Sequence, residues 1–267
     1  MKKILLISAL FCFILCYADS IDFNTWTVKI EIKESNVSPA QISDQAKTII
    51  KNTLFDANRT VEDYLAANSR ISKQFSRINI NPRQSDYRFL SNGSTINDYE
   101  IPITGQIMKT FIPGTGGGIP LATLICPTCK QLWPENMPVP VGVKLIPLEN
   151  ELTPEYTGVL IDARDITLNP ALFLKVFTDQ GREAYGLSFA DSIYVINQGL
   201  VSYANSLDQA FNNERLGFNP LRITALKSSG LNKTDIIISD ASVKMMHSSQ
   251  HNLKNLEQCK VVVLIGE

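Results

Sequence analysis

Asp235-Ile236-Ile237-Ile238-Ser239-Asp240 and, further on, Cys259-Lys260-Val261-Val262-Val263-Leu264-Ile265 decide the fold class. Each run is apolar at consecutive positions, so the strand it predicts is covered on both faces, as in a parallel sheet. Ser239 offers an N-cap hydroxyl, and the segment it opens predicts a helix to about Leu256. Strand, helix and strand make a right-handed βαβ unit with parallel neighbours. Outward from this unit, Thr157 to Ala163, Ala171 to Phe177 and Leu221 to Leu226 are further apolar runs of strand length, and Asp179-Gln180-Gly181 predicts a hairpin turn.

Upstream the texture changes. Eight of the thirteen prolines fall between Pro113 and Pro154, after the run Gly114-Thr115-Gly116-Gly117-Gly118. Fixed φ angles and missing donors predict an extended connector, with Leu121 to Ile125 as a short strand. Before it, Thr25 to Lys33 alternates, with Trp26, Val28, Ile30 and Ile32 on one face of a half-buried strand. Ser38-Pro39 predicts the N-cap and first position of a helix carrying Ile42, Ala46, Ile49, Ile50 and Leu54 on one stripe. Thr60 with Asp63 predicts a second helix start, followed by Val61, Tyr64, Leu65, Ile71, Phe75 and Ile78 as its apolar positions. Tyr87 to Leu90 and Tyr99 to Met108 predict paired strands around Asn92-Gly93, with Pro102 placing its strand at an edge. The fold class expected is α+β: a strand-helix-helix-strand-strand domain over 19–112, a connector over 113–155, and a mixed-sheet α/β unit with a βαβ end over 156–267.

The first eighteen residues predict an address rather than a structure. Lys2 and Lys3 precede Ile4 to Leu15, of which only Ser8 is polar. A spanning helix needs about 20 apolar residues, so this basic, short and greasy start predicts a secretory signal peptide, cut after Ala18. A rival reading lipidates Cys16, with Leu15 standing where a lipoprotein signal carries a small residue. No later segment predicts a membrane span. Over the 267 residues, 44% are apolar and 19% charged, with 25 Lys plus Arg against 26 Asp plus Glu. That excludes disordered and collagen-like chains and gives no global field to hold nucleic acid. With Cys12 and Cys16 removed, Cys126, Cys129 and Cys259 would remain, in an oxidising compartment.

The candidate chemistry is sparse. Cys126-Pro127-Thr128-Cys129 can ligate zinc, close a small disulfide or brace a loop as thiols. Zinc requires about four ligands, and His247-Ser-Ser-Gln-His251 is the only other matching pair, with both imidazoles on one face if the segment is helical. Cys259 reads as a buried small hydrophobe. Gly186-Leu187-Ser188-Phe189-Ala190 approximates a hydrolase elbow, and Ser188, Asp208 and His247 follow in that order, but the last Gly is replaced and no oxyanion motif accompanies it. Gly114 to Gly118 lacks the Gly-Lys-Ser/Thr of a phosphate loop and reads as a hinge. Asp162, Arg164 and Asp165 read as a surface charge cluster. Asn36, Asn58, Asn92 and Asn232 head glycosylation sequons that matter only in a glycosylating host.

Thr157 to Arg164, Gly181-Arg182-Glu183-Ala184-Tyr185-Gly186, Asn219-Pro220-Leu221, Asp235 to Asp240 and Cys259 to Val263, with the N-terminal unit, form an ordered pattern. It resembles exported bacterial proteins of the twenty-kilodalton outer-membrane lipoprotein family and the related N-terminal domain of the flagellar assembly protein FlgT. The resemblance implies a periplasmic, envelope-associated, non-enzymatic protein, in some members a flagellar-motor accessory, with no catalytic residues to carry over. The expectation is therefore an exported structural or assembly protein with envelope or self-assembly partners, no nucleic acid and no resident cofactor. Its partners would pair with the Thr25 to Lys33 strand or the Pro102 strand. The rivals are an enzyme of unknown reaction and a zinc- or thiol-dependent binding protein using Cys126, Cys129, His247 and His251.

Overall fold

A computed structural model describes residues 20–33, 37–91, 93–134, 137–149 and 153–266. The expected signal over 1–18, with Cys12 and Cys16, lies outside the described residues, as do Asn36 and Asn92. The chain is α+β.

The N-terminal sheet is built from β1 (Ser20–Asp22), β2 (Thr27–Ile32), β5 (Arg83–Phe89) and β6 (Thr95–Pro102), antiparallel in the order β1-β2-β6-β5. Between β2 and β5 run α1 (Pro39–Asn52), the short ribbon β3 (Leu54–Asp56) and β4 (Arg59–Thr60), α2 (Val61–Ala67) and α3 (Ser69–Ser76). Both expected helix starts form reciprocal capping boxes: Ser38 with Gln41, and Thr60 with Asp63. The second helix breaks at Asn68, whose side-chain amide donates to Tyr64 O at 2.8 Å and so competes with the helical ladder.

Two expectations here are corrected. The strand foreseen over Tyr99 to Met108 begins earlier and stops at Pro102; Gly105, at φ 73°, then opens α4 (Gln106–Phe111). Ile107, Met108 and Phe111 are buried at helical spacing, a pattern too short to separate from a strand by period alone. Nor is Pro102 at an edge. It ends β6 opposite Thr27, inside the sheet, where a missing donor costs one terminal ladder bond. The Thr25 to Lys33 strand is likewise interior, paired by β1 on one side and β6 on the other.

The connector carries β7 (Leu124–Ile125) and β8 (Ile146–Pro147), paired antiparallel, with Leu132 bridging to Ile125. Beyond it come β9 (Val159–Asp162), β10 (Val176–Thr178), β11 (Glu183–Tyr185), α5 (Ser192–Gln198), β12 (Ser202–Ala204) and α6 (Leu207–Phe211). The chain closes with β13 (Leu221–Thr224), β14 (Lys227–Ser229), β15 (Asp235–Ile238), α7 (Asp240–Met246), α8 (Gln250–Glu257) and β16 (Val261–Leu264).

These strands make an all-parallel sheet, β12-β16-β9-β13, and a mixed sheet, β11-β10-β15-β14. The expected βαβ unit is thereby corrected. β15 and β16 each have parallel neighbours, but β15 pairs with β10 and β16 with β9 and β12. Apolarity on both faces signals cover on both sides without naming the neighbour. The helix expected between them also divides: α7 stops at Met246, and Ser249 caps α8 anew through the Asn252 amide at 3.0 Å. Of Ala171 to Phe177 only the end is strand. Leu172 and Phe173 donate instead to Leu54 O and Phe55 O, each at 3.0 Å. The hairpin at Asp179-Gln180-Gly181 forms as expected, with Gly181 at φ 79°.

One apolar core runs from Val28 and Ile30 through Phe55, Phe111 and Phe173 to Ile236 and Val261. A second, small cluster (Leu160, Ala210, Leu216, Val262, Leu264) fills the other face of the parallel sheet. Trp26 joins the two halves of the chain. It is fully buried, its Nε1 donates to Val201 O at 2.6 Å, and its ring meets Phe23 and Tyr203 edge-on.

Candidate functional site

The connector folds the Cys pair into the tip of a tight hairpin. Trp133 N–H donates to Leu124 O at 2.8 Å, Cys126 N–H to Gln131 O at 2.9 Å and Lys130 N–H to Cys126 O at 2.9 Å. Lys130 closes the loop at φ 60°, a left-handed conformation costly for a side chain with a Cβ. The nearby backbone N–H groups of Cys129 and Thr128 hold the Cys126 thiol below its ordinary range, because they favour the thiolate. Cys129 is exposed and Cys126 half-buried.

The histidines are elsewhere and are separately occupied. His247 is fully buried at the end of α7. Its Nδ1 accepts from the Leu121 N–H at 2.8 Å, which fixes Nε2 as the protonated nitrogen, donating to Ala184 O at 2.8 Å. Burial pushes its pKa down to about 4, so the ring is neutral and both nitrogens are used. His251 lies on α8, exposed, and Nε2 donates to Tyr156 O at 2.9 Å. The four-ligand set Cys126, Cys129, His247 and His251 is therefore corrected. With the helix broken between the imidazoles, they share no face, and His247 has no lone pair left for a metal.

The same geometry dismantles the hydrolase order. The Ser188 hydroxyl donates to the Glu183 carboxylate, Asp208 sits on α6, and His247 has no free nitrogen to take a proton. The glycine run expected as a hinge is tied down at two points: Gly116 N–H donates to Leu187 O at 3.1 Å and Gly118 N–H to Ser188 O at 2.8 Å. A Cβ at Gly118 would fall 2.8 Å from the Phe189 ring, so only glycine lets the strap lie this close. The strap, the connector at Val139-Pro140 and Val143 to Leu145, and Ser188 to Asp191 line a groove of about 800 Å³. At the end of β9, Arg164 grips Asp162 through two bonds of 2.9 and 2.6 Å and holds its carboxyl below the usual range; the pair is closed on itself. Cys259 is buried as expected, its thiol pushed up to about 11 by burial. Beside it the half-buried Arg215 guanidinium donates to the carbonyls of Gly199 and Cys259, each at 3.2 Å, and to that of Gln198.

The feature that sequence reasoning missed is the edge of the N-terminal sheet. Among the described residues β5 pairs only with β6, and all seven residues of β5 are exposed. Leu90 N–H donates to Ser94 O at 2.8 Å, so by alternation the backbone groups of Arg88 also turn toward β6, while those of Tyr87 and Phe89 turn outward, the Tyr87 N–H donating to Asp86 Oδ1 at 2.8 Å. Asn97 lies opposite both Ile32 and Tyr87, which puts Tyr87 and Phe89 on the same sheet face as the buried Ile30 and Ile32. Past the helices that cover those isoleucines, Tyr87 remains 59% and Phe89 76% exposed, their rings edge to face at 5.6 Å. On the opposite face Arg88 is fixed by Glu31 at 2.9 Å and Asp98 at 3.2 Å. Tyr87 to Leu90 was legible as a strand, but its exposure was not, since Tyr-Arg-Phe-Leu reads as ordinary half-buried alternation.

Among the described residues no helix is long and apolar enough to cross a membrane. No curated protein matches the chain. Residues 158–267, which hold both C-terminal sheets, are similar to the second domain of Treponema pallidum Tp0624.

Proposed function

We propose that the chain is an exported, non-enzymatic assembly module of the bacterial cell envelope, which joins its protein partner by adding that partner's strand to the free edge of β5. The observation that carries this reading is the outward-facing backbone of Phe89 and the Tyr87 carbonyl, with the exposed aromatic pair beside them. Unpaired edges with apolar side chains are templates for another strand; Pro82, the bulge between Gln84 and Asp86 and the charges of Arg83 and Asp86 blunt the start of β5, and Tyr87 to Phe89 lies past them. Here main-chain groups would supply affinity and the two rings would supply a pocket for alternate side chains of the incoming strand. The export half of the proposal rests on Lys2, Lys3 and the apolar run from Ile4 to Leu15. The resemblance to outer-membrane lipoproteins and to the FlgT N-terminal domain supports the same compartment, and a flagellar-motor accessory is its narrower form.

Fractionation of native cells, with a photo-reactive phenylalanine analogue at position 89, tests both halves. The proposal expects the chain in the envelope, shortened at its N-terminus, and a discrete cross-linked species. A chain that keeps Met1 and stays in the cytosol overturns export. Envelope location without a cross-link from position 89 overturns the edge as the docking site.

A further inference from the structure

We propose that the connector and the C-terminal unit bind a long-chain fatty acid, its apolar tail laid along the proline-rich connector and its carboxylate held by Arg182 and Lys244. Beside the groove at the glycine strap lies a second one, of about 1090 Å³. The two share Ile119, Pro120, Leu124, Val139 and Leu145, so they form one continuous trough. Large apolar side chains gather there in contact with water: Ile119 is 63%, Leu132 62%, Met137 51% and Leu148 48% exposed. Apolar surface concentrated in this way marks a binding groove. The walls are held by the chain's own bonds. Leu121 N–H donates to His247 Nδ1 at 2.8 Å, Leu148 N–H to Thr123 O at 2.7 Å, and the Trp133 ring Nε1 to Met137 O at 3.1 Å. A site formed in advance loses little ordering entropy when it is filled.

The lining selects the occupant. Pro120, Pro134 and Pro138 present no backbone N–H, so a peptide laid along this wall would meet few donors for its carbonyls. An acyl chain has no polar groups to satisfy and gains simply by leaving water. Charge selects its head. Arg182, just before β11, and Lys244, on α7, line the second groove. Among the described residues Lys244 has no carboxylate partner, and the Arg182 guanidinium stands 3.8 Å from Asp240, beyond hydrogen-bond reach. In the first groove, by contrast, the Lys144 ammonium is bonded to Glu257. The unpaired cations therefore set the direction, with the head at Arg182 and Lys244 and the tail running past Ile119 and Val139 toward the strap. A guanidinium fork matches the two oxygens of a carboxylate. A long apolar wall with a few placed polar groups is the usual make-up of a small-molecule site. The trough shares no residue with β5, so this proposal and the docking edge fail separately.

Calorimetric titration of the purified protein with palmitate, kept below its aggregation threshold at neutral pH, tests the site. The expected result is saturable binding of one palmitate per chain. An amphiphile of the same tail length with a trimethylammonium head should bind at least about tenfold more weakly, and butyrate should not bind. Arg182→Gln with Lys244→Gln should weaken palmitate by about tenfold or more without weakening the cationic amphiphile. Ile119→Glu with Leu132→Glu, both at largely exposed positions, should abolish palmitate binding and keep the urea midpoint of the parent. If that pair lowers the midpoint, the glutamine pair and the head-group comparison decide. No saturable uptake of palmitate, equal affinity for the two head groups, or a glutamine pair that binds palmitate as the parent does overturns the proposal. A dimer that excludes palmitate assigns the trough to a second copy and overturns it as well.

Discussion

His247 gives the sharpest quantitative test of the packing between the connector and the C-terminal unit. The ring is neutral in the fold, with its pKa pushed down to about 4 by burial, against an ordinary value of about 6.5. The unfolded chain therefore takes up a proton below about pH 6.5 that the folded chain refuses until about pH 4. This residue contributes no pH dependence above that window, and within it stability falls by about 1.4 kcal/mol per pH unit, roughly 3 kcal/mol in all. His247→Asn keeps an acceptor toward the Leu121 N–H but loses the bond to Ala184 O and the ring contact with Phe189 at 5.1 Å. It should cost roughly 2–3 kcal/mol near neutral pH. Since asparagine does not titrate, the gap between parent and variant should close as pH falls toward about 4, the carboxylates common to both chains cancelling in the difference. Urea unfolding of both proteins at intervals from about pH 7.5 to about pH 4 reads this directly. A gap that stays constant across the window would refute the buried neutral imidazole.

Other outcomes follow from single contacts. Gly199→Ala places a Cβ 2.4 Å from Trp26 Nε1 at a φ of +81°, so it should cost about 2 kcal/mol or more in a urea titration. Thr60→Ala removes the acceptor that caps α2 and should cost about 1 kcal/mol, visible as a lower urea midpoint with unchanged slope. Arg215→Met strips the donor from three carbonyls and should cost roughly 3 kcal/mol by the same assay, more than its apolar volume returns. Tyr87→Lys with Phe89→Lys should change stability by no more than about 0.5 kcal/mol, both side chains being largely exposed, yet abolish retention in the envelope fraction.

Local chemistry was well marked in the sequence. Ser38-Pro39 and Thr60 with Asp63 announced both helix starts because a capping box lies within four residues of chain. The apolar runs at Ile236 and Val261 announced strands with parallel neighbours because their cover is two-sided, and Thr157 to Ala163 announced a strand without its direction. Partnership was not marked. β15 and β16 carry the same apolar signal and lie in different sheets, and the choice is made by packing between distant segments. The site was hidden for the same reason. Cys126-Pro127-Thr128-Cys129 stood out, but that His247 spends both nitrogens on Leu121 and Ala184 depends on partners 126 and 63 residues away in the chain. Pro102 pointed to the wrong edge because a proline at the last position of an interior strand loses so little. The true edge was marked only by Pro82 before the strand and by Arg83, Asp86 and Arg88 along it, which also suit an ordinary surface strand.

Amide hydrogen exchange along β5, measured on the free chain and on the chain held in its envelope assembly, tests the docking edge most directly. The account predicts that the Phe89 amide, which faces outward in the free chain, becomes strongly protected on assembly, while Leu90, already bonded to Ser94, changes little. Equal exchange at Phe89 in the free and assembled states would contradict it.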